Sequence, residues 1–286
     1  MKNDLHIRTN ISASSNKEMN WEKVLLMAQE NKLNRIAITD FDTCLFSVIR
    51  KIVSPTKYFD GEIIDGMECD VCHNGITFEL LAYNFDVEKT FKWSKKIYGT
   101  LETRQSKLKE LLIKKLNKTK LTQNKIKAFD AKNEFAHNYV YELINNKSNK
   151  KFLDQYQIKN SSDFYRQSTS NLDFPLYVNT GVIWPEPKEV IDFIHSVGGI
   201  VVLAHPYKYK NKIDVQKLLL FAKENNIDGI EVYHPSHDLE EINNLLKFAK
   251  DNKMIITGGS NFNGKEYNTM GIKNIDKNEK EISIKK

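Results

Sequence analysis

The sequence predicts an α/β fold built on a largely parallel sheet and interrupted by an inserted helical segment. Three observations predict it. Short apolar runs alternate with amphipathic helical patterns near both ends of the chain, which is the rhythm of βα units. Residues able to do chemistry collect where those runs stop. Between Asp86 and about Gly181 the rhythm gives way to long, charged helical patterns.

Asp4 to Thr9 alternates Leu5 and Ile7 with polar residues, a strand pattern. Asn20 to Asn31 puts Trp21, Val24, Leu25 and Ala28 on one helical face, with Asn20 as its cap. Arg35 to Thr39 is a short apolar strand that runs into Asp40, Phe41, Asp42 and Thr43. Ile63 to Met67 leads to Glu68, and Thr77 to Tyr83 is a further strand. Lys92 to Leu116 reads as one long helix, and Glu134 to Asn145 as a second that carries His137. From Trp184 the βα rhythm returns. A helix over Lys188–Val197 opens on Pro185 and Pro187 and closes on Gly198-Gly199. Ile200 to Leu203 is a continuous apolar run that suits a strand buried on both faces, and His205-Pro206 ends it. A helix at 215–225, a strand at 229–233, a helix at 239–252 and a strand at 254–257 follow, and the last ends in GGSNFNG. The expected organisation is a barrel-forming unit from 1–85 and 182–270, an inserted basic helical cap over 86–181, and a C-terminal tail at 271–286.

The chain has 286 residues and is 40% hydrophobic, enough for a sizeable core. No run of eighteen apolar residues and no apolar N-terminal signal is present, so a cytoplasmic protein without a membrane span is expected. Cys44, Cys69 and Cys72 are an odd set and give no disulfide framework. The Cys69–His73 stretch fits a CxxCH haem pattern, but it lies in a strand-like segment without an export signal, so haem is not expected. The net charge of +6 is uneven: residues 86–160 hold 18 Lys+Arg against 8 Asp+Glu. Such a segment either faces an anionic partner or keeps a helical face soluble.

His6 and Arg8, Asp40 and Asp42, Glu68, His205, His234 and His237, then Asn261 and Asn263 all fall at strand ends. If the sheet curls into a barrel, these ends share one face. Imidazoles and carboxylates converging there point to a divalent metal site, although no compact ligand motif such as HExxH is present.

The motifs DLHIR, AITDFDT, GMEC, AHNYV, GGIVVLAHP, GIEVYHPSH and GGSNFNG occur in that order. In order and spacing the chain resembles the polymerase-and-histidinol-phosphatase (PHP) family of metal-dependent phosphoesterases. The resemblance implies a distorted (β/α)7-type barrel with up to three divalent metals at its C-terminal rim. It also implies that the insert is similar to the cap of members acting on nucleotides or RNA ends. Several ligand positions depart from the family pattern. Arg8 stands where a second histidine is usual, Ala13 where an acid is usual, and Phe41 where a histidine is usual. Asn261 and Asn263 replace the closing Asp and His. Glu68, His137 and His205 match, so the resemblance implies one complete metal set, with His6 as a further candidate ligand, for a zinc, manganese or iron ion.

The function expected is phosphate-ester hydrolysis at a single metal on a phosphorylated small molecule or short nucleic acid, with weak turnover. Arg8 and Asp40 are the expected catalytic groups, and Arg8 and Arg104 the expected substrate-binding groups. The alternative is a catalytically inactive barrel that binds a phosphorylated ligand. For Arg8 two roles stand open: a two-pronged grip on phosphate, or an ion pair with Glu68, Asp40 or Asp42.

Overall fold

A computed structural model describes residues 2–12, 15–210 and 213–272. Seven strands form one sheet in sequence order: β1 (Asn3–Ile7), β2 (Arg35–Ile38), β3 (Glu62–His73), β4 (Ile76–Tyr83), β5 (Ile200–Leu203), β6 (Gly229–Tyr233) and β7 (Ile255–Gly258). A parallel bridge between Ile7 and Phe262, and a bond from the Arg8 amide to the Phe262 carbonyl (2.8 Å), bring the ends together into a nearly closed barrel.

The sheet is largely parallel, as expected, with β4 as the exception. β4 runs antiparallel to both β3 and β5. The reason is local: Asn74 (φ 51°) and Gly75 (φ 81°) both have positive φ. That is the two-residue turn that matches the twist of a hairpin, and Asn-Gly is its preferred sequence. The hairpin register places Glu68 opposite Leu81 and Asp70 opposite Glu79. β3 therefore runs well past the expected Met67.

Helices cover the outside of the barrel: α1 (Trp21–Glu30), α2 (Leu45–Ile52), then, after the insert, α8 (Pro187–Ser196), α9 (Val215–Glu224) and α10 (Leu239–Asp251). Asn20 caps α1 by accepting from the Lys23 amide (2.9 Å). Inside the barrel, Leu5, Ala37, Ile64, Leu81, Tyr83, Val202 and Ala204 form a fully packed plug below the rim. Burying one such side chain is worth roughly 1.5–3 kcal/mol, so the strand ends sit on a rigid base.

Within the insert, the single helix expected at 92–116 is two: α3 (Val87–Tyr98) and α4 (Leu101–Leu116). Gly99, at φ 61°, breaks it, and Thr100 caps α4 through the Thr103 amide. α5 (Ala136–Ile144), α6 (Lys150–Gln155) and α7 (Ser161–Ser170) follow. Leu108, Leu112, Val140, Ile144, Phe164 and Leu176 build a hydrophobic cluster of their own. Buried polar links tie this layer to the barrel: Arg166 to Glu79 (3.2 Å), Arg104 to Asp42 (3.2 Å) and Ser170 Oγ to the Thr77 carbonyl (2.6 Å). Among the described residues no helix is long and apolar enough to cross a membrane. Ala13 and residues 273–286 of the tail lie outside the described residues.

Candidate active site

His6 on β1, Glu68 on β3, Glu231 on β6 and His205 just past β5 come together at one end of the barrel, all with no exposed surface. Close packing makes this possible. A Cβ on Gly259 would lie 2.2 Å from the His6 Cβ, so only glycine lets the loop after β7 pass β1 there. Asp4 fastens the same seam by accepting from the Ser260 amide (2.9 Å) and the Gly271 amide (2.8 Å).

Glu68 is the hub. Its Oε2 accepts from Arg8 Nε (2.7 Å), lies 2.5 Å from Arg8 Nη2, and is 3.2 Å from His6 Nε2. Burial pushes the Glu68 carboxyl up, but Arg8 and then His6 outweigh it and hold it well below the usual range. Its Oε1 is buried with no hydrogen-bond partner among the described residues. His205 Nε2 stands 3.5 Å from that oxygen, longer than a good hydrogen bond, and both His205 ring nitrogens are buried and unpartnered among the described residues. Burial, then the nearby Lys208 ammonium, holds His205 neutral, well below its usual pKa. The His205 backbone is held at φ 28°, a costly conformation for a side-chain-bearing residue, and its amide donates to Glu231 Oε2 (2.9 Å).

Glu231 was not anticipated from the sequence, and it positions two imidazoles at once. Its Oε1 bonds His6 Nδ1 (2.9 Å) while its Oε2 holds the His205 backbone. Burial lowers the His6 pKa, yet Glu231 and Glu68 together raise it to about 9. His6, His205 and Glu231 place ligand atoms within 4.8 Å of one another; Glu68 and His137 are not part of that set. Both Glu231 oxygens are already accepting bonds, which makes it a holder of ligands rather than a free ligand.

The other sequence candidates fall in different places. Arg8, 4% exposed, takes the ion-pair role: it pairs with Glu68, and the Phe41 ring lies over its guanidinium at 4.1 Å. A two-pronged grip on phosphate is therefore not what this arrangement offers. Asp40 is not poised for catalysis either: it accepts from Thr9 N, Thr9 Oγ1 and Ser12 Oγ (each 2.8 Å) and fixes the loop after β1. Asp42, at φ 56°, accepts from the Asp70 amide and pairs with Arg104, whose Nη1 also donates to the Tyr98 carbonyl (2.7 Å). Burial raises Asp42 to about 6 against the pull of Arg104. His137 is stacked on Phe135 (5.1 Å) and tilted against Tyr165 (4.7 Å), with a buried Nδ1 that has no partner among the described residues. Burial, then Arg166, lowers it to about 3. The Asn263 side chain accepts from the Lys265 and Tyr267 amides and shapes its loop, while both amide atoms of Asn261 are buried and unpartnered among the described residues.

His234 packs 4.9 Å from His205 and bonds Ser236, and His237 Nδ1 donates to the Val232 carbonyl (2.8 Å). His195 lies away from the centre on α8, paired with Asp228. A cavity of about 330 Å³ separates barrel rim from insert. Ser12, Phe41, Asp42 and Asp70 line it on one side, and Arg104, Gln105, Phe135, His137 and Tyr165 on the other. Cys44, Cys69 and Cys72 are buried free thiols.

No family profile matches the chain. Two curated proteins do match part of it. One is a phosphoribosyl 1,2-cyclic phosphate 1,2-diphosphodiesterase of Eggerthella lenta, 30% identical over 95 residues, 32% of this chain and 35% of that protein. The other is a 3',5'-nucleoside bisphosphate phosphatase of Chromobacterium violaceum, 28% identical over 80 residues, 28% of each chain. These partial matches support the resemblance to the PHP family. The match spans about a third of the length of these curated relatives. The likeness in fold extends further. A structure assigned as a metal-dependent phosphoesterase of Bifidobacterium adolescentis superposes with a TM-score of 0.62 at 18% identity, over 94% of this chain and 90% of its own. An amidohydrolase from Chromobacterium violaceum, with bound sulfate and no metal, superposes at 0.68 and 16% identity, over 97% and 93%. These two likenesses carry the fold.

Buried ligand atoms without partners among the described residues raise the question of a metal, and the two sides of Glu68 answer it differently. Two ligands about 2.0–2.2 Å from a tetrahedral ion stand about 3.4 Å apart. The 3.5 Å between Glu68 Oε1 and His205 Nε2, neither with a hydrogen-bond partner among the described residues, fits that spacing. On the Oε2 side the residues do not fit an ion, because Arg8 and His6 already engage that oxygen.

Proposed function

We propose that the protein is a metal-dependent phosphoesterase that works with a single divalent ion, zinc, manganese or iron. The observation that carries this reading is the pair of orphaned ligand atoms, Glu68 Oε1 and His205 Nε2, set 3.5 Å apart in a fully buried centre. Glu68 and His205 would hold the ion. When bound, such an ion acidifies a water and polarises a phosphoryl oxygen. The chain's own residues do the rest. Glu231 fixes the direction of His205 through its backbone amide. Lys208, three residues past His205, lies over the Tyr267 ring at 5.4 Å, and burial and Arg166 lower its pKa to about 7. The cavity beneath the insert, with Arg104 on its wall, accommodates the organic part of the ester, a phosphorylated small molecule or the end of a short nucleic acid.

The relatives support the class of chemistry, since one is named a diphosphodiesterase and the other a bisphosphate phosphatase. The Arg8–Glu68 pair favours a second reading, a non-catalytic barrel that binds a phosphorylated ligand, because it removes one carboxylate oxygen from service. Elemental analysis together with hydrolysis of generic phosphomonoesters and diesters under added Mn²⁺ or Zn²⁺ separates the two. Metal near one equivalent and turnover abolished by His205→Ala are expected. No metal and no turnover would leave the binding reading in its place.

A further inference from the structure

We propose that the Arg8 guanidinium takes the place of a metal ion in the half of the centre between His6 and Glu68, and that this half is closed to divalent cations. The argument rests on which atoms are already spoken for. An ion there would need Glu68 Oε2 and His6 Nε2. Oε2 receives Arg8 Nε at 2.7 Å and stands 2.5 Å from Nη2. His6 Nε2 lies 3.2 Å from Arg8 Nη2 and 3.2 Å from Oε2, so it is committed whichever of the two it bonds. His6 Nδ1 is held by Glu231 Oε1 at 2.9 Å, and Glu231 Oε2 by the His205 amide. Each of these atoms has a partner, whereas Oε1 and both His205 nitrogens on the other side have none among the described residues.

A guanidinium suits the post. It is always charged and planar, and its donors match a carboxylate, so it balances the buried Glu68 without an exchangeable ion. Phe41 lies over it at 4.1 Å and covers it on the cavity side. To enter, a divalent ion would have to push out a fixed positive charge from beneath that ring. Substitution of one ligand position by a cation thus does more than delete a site: it makes the barrel end self-sufficient. The proposal does not depend on turnover, and it stands whether or not the Glu68 Oε1–His205 side binds an ion.

The test is zinc titration into chelator-stripped protein, followed by calorimetry and by melting with and without zinc. Wild type and His6→Gln should take up the same number of zinc ions with affinities within about threefold. Arg8→His should take up one more, and zinc should raise its melting temperature by several degrees more than it raises that of wild type. Zinc held by wild type but lost in His6→Gln would overturn the proposal, as would an Arg8→His protein that folds and gains no zinc. If Arg8→His does not fold, the His6→Gln comparison decides alone. Wild type that takes up no zinc leaves this proposal standing and removes the metal from the phosphoesterase reading, so the two fail separately.

Discussion

Arg8→Met should be the most damaging single surface-neutral exchange in the barrel. The methionine keeps much of the aliphatic bulk and removes the charge. Glu68 is left as a carboxylate with no exposed surface, facing only the imidazoles of His6 and His205. Breaking a buried ion pair by removing one partner costs about 3–5 kcal/mol. Losing the guanidinium beneath Phe41 adds about 1 kcal/mol. The sum, about 4–6 kcal/mol, corresponds to a fall of roughly 8–12 °C in Tm for a chain of this size. The assay is thermal and denaturant unfolding in the presence of a chelator, so that no ion replaces the lost charge. The Glu68→Gln partner and the double variant complete a cycle. Because the double variant removes both charges, it should be more stable than the two single losses added together by at least about 2 kcal/mol. A drop under about 1 kcal/mol for Arg8→Met, or strict additivity in the cycle, would refute the idea that Arg8 neutralises Glu68.

Other expectations follow from the same geometry. Gly259→Ala should cost roughly 1–3 kcal/mol, because the new methyl meets the His6 Cβ at 2.2 Å and its backbone nitrogen at 2.5 Å, neither of which can swing aside; a denaturation curve like that of wild type would contradict this. Stability should fall on both sides of about pH 6.5. His6 has a folded pKa raised to about 9, so the stability it supplies is complete below 6.5 and is lost as pH rises through 9. His137 is lowered to about 3, so the unfolded chain binds its proton first and stability is lost as pH falls from 6.5 towards 3. Urea midpoints measured across pH in chelator check this, and His137→Phe should flatten the acid limb. Glu231→Gln should weaken the hold on both His6 and His205, costing about 1–3 kcal/mol and lowering metal affinity at least tenfold by titration.

Much of the site was legible because βα architecture puts chemistry at strand ends. The short apolar runs before His6, Glu68 and His205 were enough to predict that these residues meet. What the sequence pattern hid was of two kinds. The first was local: Asn74-Gly75 is a hairpin signal, and it turns β4 antiparallel and extends β3 so that Asp70 and Glu79 face each other. The second was tertiary. Glu79 and Glu231 sit inside apolar strands, TFELL and GIEVY, where a lone carboxylate shows that a buried partner exists but not which one. Only the fold reveals that Glu79 meets Arg166 from the insert, and that Glu231 meets His6 across the barrel. Likewise the two roles open to Arg8 were equal in sequence. The reach of its side chain from β1 to Glu68 on β3, under Phe41, selects the ion pair.

The central claim is that Glu68 is divided, with one oxygen given to Arg8 and the other left for an ion. A crystal grown with Mn²⁺ or Zn²⁺, with anomalous scattering collected at the metal edge, tests it most directly. The account predicts one peak, bonded to Glu68 Oε1 and His205, with Arg8 still on Oε2. A peak between His6 and Glu68, with Arg8 swung out from beneath Phe41, would contradict it.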